Sequence, residues 1–310
     1  MNEPRPFHHV PVLRDDVLEL LCGSERRDGA RFVDGTLGGG GHALALLERG
    51  VQLDAFDRDR HAIAAASERL APYLASGQLR VHHAPFASAG RVLDLAEPGL
   101  RLDGVLLDLG VSSPQLDEPA RGFSFQADGP VSMVMDDGDA PLSDRLAELD
   151  EAGLARILRD YGDEPNARRV AQTILFGRPW AGTRALAEAI AAVAAPTRGT
   201  HRATRAFQAL RIWVNDEIGQ LQAALADFPW RLAPGGRFAV IAFHSLEDRP
   251  TKQAFGALTG VGAPTDLYGH PLVAPQFRLA ERRARKGEDR DPNPRARSAR
   301  LRVLERLESP

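Results

Sequence analysis

The stretch Phe32-Val33-Asp34-Gly35-Thr36-Leu37-Gly38-Gly39-Gly40-Gly41-His42 decides how the whole chain is read. A short apolar run ends at Asp34, passes through a glycine cluster and opens a helical segment, His42–Glu48. Glycine lets the backbone approach a ligand closely, and the first turn of a helix offers free N–H groups. Working outward, VQLDAFDRD (51–59) follows about one helix later, then QLRVHHAPF (78–86) and LDGVLLDLGVSS (102–113). The Ala- and Leu-rich segment His61–Leu74 lies between them. Strand, helix, strand at this spacing predicts consecutive βαβ units and a parallel sheet with helices on both faces, an α/β fold.

The rhythm changes after Gln115. Residues 116–139 are rich in Gly, Pro, Asp and Phe, and 141–196 read as three helices, over 143–162, 164–177 and 183–196, without a β-branched alternating run; helix starts are expected at Asp163 or Glu164, before Pro165, and at Thr183. One further amphipathic helix is expected over Thr204–Phe228. LAPGGRFAVIAFHS (232–245) then predicts a turn feeding a strand, and RSARLRVLERL (297–307) a last strand, with a loop-rich segment between. The expected organisation is residues 1–115 as the first part of a doubly wound sheet domain, 116–203 as a helical insertion, and 204–310 as the second part with a basic C-terminal segment.

Of the 310 residues, 43% are hydrophobic and 26% charged, which supports a folded core and excludes wholesale disorder. No apolar run is long enough to cross a membrane, and no secretory h-region is evident, so a cytoplasmic location is expected. The single cysteine, Cys22, excludes a disulfide framework, a cysteine zinc site and an iron–sulfur cluster. No metal is expected. Net charge is −3, but Phe277–Arg306 holds eleven Lys/Arg against five Asp/Glu, a local +6 after a body at −8. That asymmetry points to a polyanion contact confined to one region, or to pairing with the body's own acids.

In an open α/β sheet, ligands sit beyond the carboxyl ends of the strands. Asp34, Asp57 and Asp108 each close a predicted strand there. Asp57, about 20 residues after the glycines, suits a ribose diol. Two ligands remain open on this pattern. Gly38, Gly40 and Ala43 satisfy a dinucleotide fingerprint, whereas Asp34 suits the ammonium of a methionyl group and so favours S-adenosylmethionine. His244-Ser245 follows the fifth predicted strand at the same edge. No G-x-S-x-G elbow accompanies the pair, so hydrolysis is not expected.

The chain resembles the bacterial ribosomal RNA small-subunit methyltransferase H family, also called MraW. The matching blocks are HVPVL (9–13), Val33–His42, Ile63 with its flanking helix, DGVLLDLGVSSPQL (103–116), RGFSF (121–125), Tyr161–Glu164, Ala203–Arg205, FQALRIWVN (207–215), Ala233–Arg237, FHSLEDR (243–249) and NPRARS (293–298). They run nearly end to end. The resemblance implies a Rossmann-like methyltransferase sheet with a helical insertion, and N4-methylation of a decoding-centre cytidine in 16S rRNA of the small ribosomal subunit. It implies S-adenosylmethionine as cofactor, with contacts from Gly40, Gly41, His42, Asp57, Phe86, Asp108 and Gln115. Asp108 is the catalytic candidate, as an acceptor for the amino group. His244, Ser245, Arg295 and Arg297 are substrate candidates. The chain departs from the family pattern at Ser132 and Val134, where Asp and Arg are usual, at Arg202, and at Pro250 and Thr251. The first departure keeps open a fold-retaining RNA-binding or ribosome-assembly factor with impaired turnover. A nicotinamide-dependent oxidoreductase is the other alternative.

Overall fold

The structure, a computed structural model, describes residues 11–23, 27–197, 199–264, 266, 272–287 and 293–308. His9 and Val10 of the first quoted block lie outside these residues, as does the side chain of Arg295. In chain order the elements are α1 (Arg14–Cys22), β1 (Arg31–Asp34), α2 (Gly41–Leu47), β2 (Gln52–Asp57), α3 (Arg60–Arg69), α4 (Ala71–Ala75), β3 (Leu79–His83), α5 (Ala89–Ala96), β4 (Leu102–Asp108), α6 (Ser113–Asp117), α7 (Leu142–Ala147), α8 (Glu151–Gly162), α9 (Ala167–Phe176), α10 (Thr183–Val193), α11 (Thr204–Val214), α12 (Glu217–Arg231), β5 (Leu232–Ala242), α13 (Ser245–Leu258), β6 (Phe277–Leu279), β7 (Arg285–Lys286) and β8 (Arg300–Arg306). The chain divides into two compact units: residues 1–110 with 220–310, and residues 111–219.

The first unit is built on one sheet in the order β3-β2-β1-β4-β5-β8-β6, with β7 also pairing β8. Strands β1 to β5 are mutually parallel, and β8 runs antiparallel to β5 and β6. From β1 the chain steps outward to β2 and β3, then returns to β4 on the other side of β1. The strand order reverses between β1 and β4, the place where open α/β sheets bind ligands.

Alternating residues feed opposite faces, because successive side chains of a strand point to opposite sides. Phe32, Leu106, Ala239 and Ile241 join one core with α1, α2 and α3. Val33, Val105, Leu107, Phe238 and Val240 join the other with α5, α12 and α13. Strands buried on both faces explain the continuous apolar runs of the sequence.

The second unit is helical. Helix α8 packs on α9 and α11, and α10 on α9, around Leu154, Leu158, Val170, Ile174, Leu186, Ile190, Phe207 and Leu210. Its limits, 111–219, differ from the expected insertion 116–203, because α11 contributes its apolar face to this core. Two helices expected as continuous are broken. The segment 143–162 divides at Asp150, whose side chain accepts from Gly153 N (2.7 Å) and caps α8. The segment 204–228 divides at Asn215-Asp216, where Asn215 Nδ2 donates to Met133 O (2.8 Å) and Oδ1 accepts from Met135 N (2.9 Å). Asp163 and Glu164, expected to start a helix, instead follow α8. Asp163 takes a left-handed conformation, and Glu164 Oε1 accepts from the N–H groups of Asn166 and Ala195. Val134, one of the departing positions, is buried in this helical core.

Candidate cofactor and catalytic site at the strand ends

The glycine stretch does what its position predicts. Gly35 N donates to Leu106 O (2.9 Å) and Leu37 N to Phe56 O (3.0 Å), so the loop is stitched to both β4 and β2. A side chain at Gly35 would overlap Leu107 and Phe86, at 2.4 and 2.9 Å from an ideal Cβ. Gly40 caps α2 with φ at +75°, a conformation only glycine adopts without strain. Pro11 of the first quoted block lies against Gly41, and Val12 and Leu13 are buried in the adjoining core.

Three acids converge as the sequence implied, and they are held differently. Asp57 is committed to the loop, with Oδ2 accepting from Gly38 N (2.8 Å) and Oδ1 from Asp59 N (2.9 Å). Asp34 is 1% exposed, and its Oδ1 accepts from Thr36 N (3.0 Å) and Thr36 Oγ1 (3.4 Å). Its Oδ2 is buried with no hydrogen-bond partner among the described residues. Asp108 is fixed by its backbone, whose N–H donates to Thr36 Oγ1 (2.7 Å), while its Oδ1 is buried and unpartnered. His42, 7% exposed, places an unpartnered Nε2 3.6 Å from Asp108 Oδ2. Thr36 is the residue that sequence reasoning missed, although a hydroxyl two residues after a strand-end acid is the available signal.

Burial pushes the Asp34 carboxyl up to about 6, against the opposing bond from Thr36. His42 lowers it, and the neighbouring Asp108 and Asp57 raise it. Burial raises Asp57 as well, against its backbone bonds. Buried carboxylate oxygens without donors are costly unless a ligand completes them. A cation or a hydrogen-bond donor would complete them. A pyrophosphate does not fit: it would meet carboxylates, and the N–H groups of Gly38 and Gly40 are already taken by Asp57 and Leu37 O. This argues against the nicotinamide alternative.

Phe86 opens a 3-10 turn after β3 and is half-buried beside Gly35. Gln115 belongs to the helical unit. Its N–H and Oε1 form a capping box with Ser112, at 3.4 and 2.9 Å. His244 and Ser245 sit where β5 passes into α13, at the same edge of the sheet as Asp34 and Asp108. Glu247, 3% exposed, accepts from Phe243 N (2.7 Å) and lies 3.0 Å from His244 Nε2, so His244 is part of a buried cap while Ser245 is exposed.

Much of the basic C-terminal charge is used internally. Asp248 receives Arg302 Nε (2.7 Å) and Arg300 Nη1 (3.0 Å), Glu305 receives Arg278 (2.6 Å), and Arg285 meets Asp16, Glu19 and Glu281, each at 2.7 Å. Arg297 is exposed, in a 3-10 turn (Pro294–Ser298) that also carries the backbone of Arg295.

Among known proteins, the MraW methylase family matches residues 6–307. The chain is 48% identical to a ribosomal RNA small subunit methyltransferase H of Anaeromyxobacter dehalogenans, over 97% of this chain and 98% of that one. Proteins of the same name from Thioalkalivibrio sulfidiphilus and Rhodospirillum centenum are 46% and 44% identical, over 99% and 98% of this chain and 99% and 94% of theirs. The sheet, its glycine loop and the acids at its strand ends are therefore those of an enzyme, and the chain belongs to the MraW methylase family.

Proposed function

We propose that this protein transfers the methyl group of S-adenosylmethionine to N4 of a cytidine in 16S rRNA of the small ribosomal subunit. The observation that carries the cofactor reading is the unpartnered Asp34 Oδ2, buried beside Asp108 and Asp57. A cationic ligand completes this group, and S-adenosylmethionine carries both an ammonium and a sulfonium. Asp34 holds the ammonium, and Asp57 accepts from the ribose hydroxyls with the lone pairs its two backbone donors leave free. Gly40, Gly41 and His42 line the loop, and Phe86 offers an apolar face to the adenine. When bound, the cofactor supplies an activated methyl group, so the protein needs neither a metal nor a covalent intermediate.

The exocyclic N4 of cytosine is a weak nucleophile because its lone pair is conjugated with the ring. Asp108 Oδ1 accepts from the amino group and localises that lone pair, while the strand ends hold the amine in line with the methyl group. The target base is splayed out of its RNA context to reach this depth. Methylation at C5 would need a cysteine nucleophile. Cys22, the only cysteine, is buried in the core on α1. We assign RNA contact to the helical unit, to His244 and Ser245 at the sheet edge, and to Arg295 and Arg297. A cytoplasmic enzyme follows from this substrate.

The test is single-turnover methylation of small subunits lacking the modification, with a labelled methyl donor and nucleoside analysis of the 16S rRNA. Label in N4-methylcytidine at one site is expected, and label at C5 or in protein would overturn the assignment. Binding of cofactor and RNA without turnover would favour the assembly-factor alternative that Ser132 and Val134 kept open.

A further inference from the structure

Methylation of an amine leaves a proton to dispose of. The N4 lone pair forms the N–C bond as the C–S bond breaks, its electron pair stays on sulfur, and N4 carries a positive charge until one proton departs. Beside Asp34, Asp108 Oδ1 and His42 Nε2 are both buried and unpartnered among the described residues. Nε2 lies 3.6 Å from Asp108 Oδ2, beyond hydrogen-bond length but within reach of a side-chain turn. The Asp108 backbone is pinned by Thr36, so the carboxyl group is what turns. A neutral imidazole with its hydrogen on Nδ1 keeps a lone pair on Nε2 that can take up a proton, and the imidazolium then faces the carboxylate.

We propose that Asp108 and His42 form the exit path for this proton: Asp108 takes it from N4 at Oδ1, turns, and hands it to His42 Nε2. The proposal rests on the reading that the methylated group is an exocyclic amine. The imidazolium that forms is held by the carboxylates of Asp34 on β1 and Asp108 on β4, with Asp57 on β2 behind them. His42 does not touch the reacting nitrogen. It acts through Asp108 as a positioning and relay residue, and its effect shows in the pH dependence of turnover.

His42→Gln separates relay from packing, because the glutamine amide keeps a polar group of similar reach but cannot take up a proton. The full-length protein is assayed on unmodified small subunits at saturating cofactor. The expected result is a kcat at least tenfold below the wild type, and loss of the acid limb of log kcat against pH. His42 also lines the cofactor loop, so affinity for S-adenosylhomocysteine is measured by calorimetry beside the rate, and the loss of kcat should persist at every saturating cofactor concentration. The Asp108→Asn variant loses the same limb, and the double variant is no slower than the slower single one. A His42→Gln enzyme with wild-type kcat and pH profile overturns the proposal, as does a loss that excess cofactor restores. His42→Asn provides the same comparison if the glutamine variant does not unfold cooperatively. Label in a methylamino base other than cytidine overturns the substrate reading alone, whereas label on carbon overturns both.

Discussion

Two aspartates lie equally deep in the sheet unit, Asp34 at 1% and Asp54 at 2% exposure, and the fold treats them in opposite ways. Asp54, on β2, is met by Arg80 Nε (2.8 Å) and Nη2 (2.6 Å), by His82 Nε2 (2.8 Å) and, farther off, by Arg31 (3.6 Å). Burial alone would raise its carboxyl, but the bonds from His82 and Arg80 overcome that and hold it below the usual range. Asp34, on the neighbouring β1, is hydrogen-bonded by Thr36 alone among the described residues, and stays raised to about 6. A buried acid supplied with its own cations belongs to the scaffold. For one left without them, a cation from outside would be the completing partner.

Removing the paired acid should have the largest effect on folding. Asp54→Ala strips Arg80 and His82 of their shared carboxylate, and urea unfolding should show a loss of about 3 kcal/mol, the lower end of the scale for a broken buried pair because Arg80 is half-exposed. Cofactor affinity should stay within twofold of the wild type. A variant that kept its stability would show that the pairing contributes little.

Asp34→Asn should do the reverse. A carboxyl raised from 3.8 to about 6 in the folded protein destabilises it once ionised, by about 3 kcal/mol at most. The sign follows from proton counts. Below about pH 4 the acid is protonated folded and unfolded and costs nothing. The cost grows as pH rises and is complete above about 6. The variant should therefore melt higher than the wild type at pH 7 and alike at pH 4, while binding cofactor more weakly. Equal melting at pH 7, or unchanged cofactor affinity, would break the contrast with Asp54.

The same logic gives a pH signature in binding. Cofactor affinity of the wild type should fall as pH drops through about 6, because a protonated Asp34 cannot hold an ammonium, and calorimetry should show protons released on binding near that pH. Asp34→Asn should abolish both effects. Asp57→Ala should weaken cofactor binding by about 1–3 kcal/mol and keep the fall in affinity at low pH that Asp34 sets. An unchanged affinity would remove Asp57 from the ribose and leave it as the anchor of Gly38.

The smallest expected effect concerns the C-terminal arginines. Arg278, Arg285, Arg300 and Arg302 are held by the protein's own acids, and Arg297→Ala with Arg295→Ala tests these two positions against RNA. The double variant should flatten the salt dependence of RNA binding by up to about two units of log–log slope, with cofactor affinity unchanged. An unchanged slope with a lower melting temperature would place these two with the other four.

The contrast between the two aspartates also marks where sequence reading stops. The strand, glycines and helix of 32–48 are a local pattern, and local patterns survive into the fold. Whether a buried acid has a partner depends on register. Arg80 reaches Asp54 because the two residues pair across β2 and β3, which no spacing along the chain reveals. Likewise α11 reads as amphipathic from its sequence, but which core it serves is decided by α8. The break after Val214 is made by Asn215 reaching Met133, 82 residues away. The acids of the site were legible because each ends a strand. The absence of their counter-charges was not.

In chain order β8 follows β6, yet it lies inside the sheet, between β5 and β6, and sends Leu301 and Val303 into one core and Leu304 into the other. Arg285, just upstream, reaches back to Asp16 and Glu19 on the first helix. A chain cut before Arg300 therefore loses an interior strand rather than an edge, and both cores of the sheet unit lose side chains at once. Truncation there should cost the whole sheet unit its stability, because a domain folds as one cooperative unit.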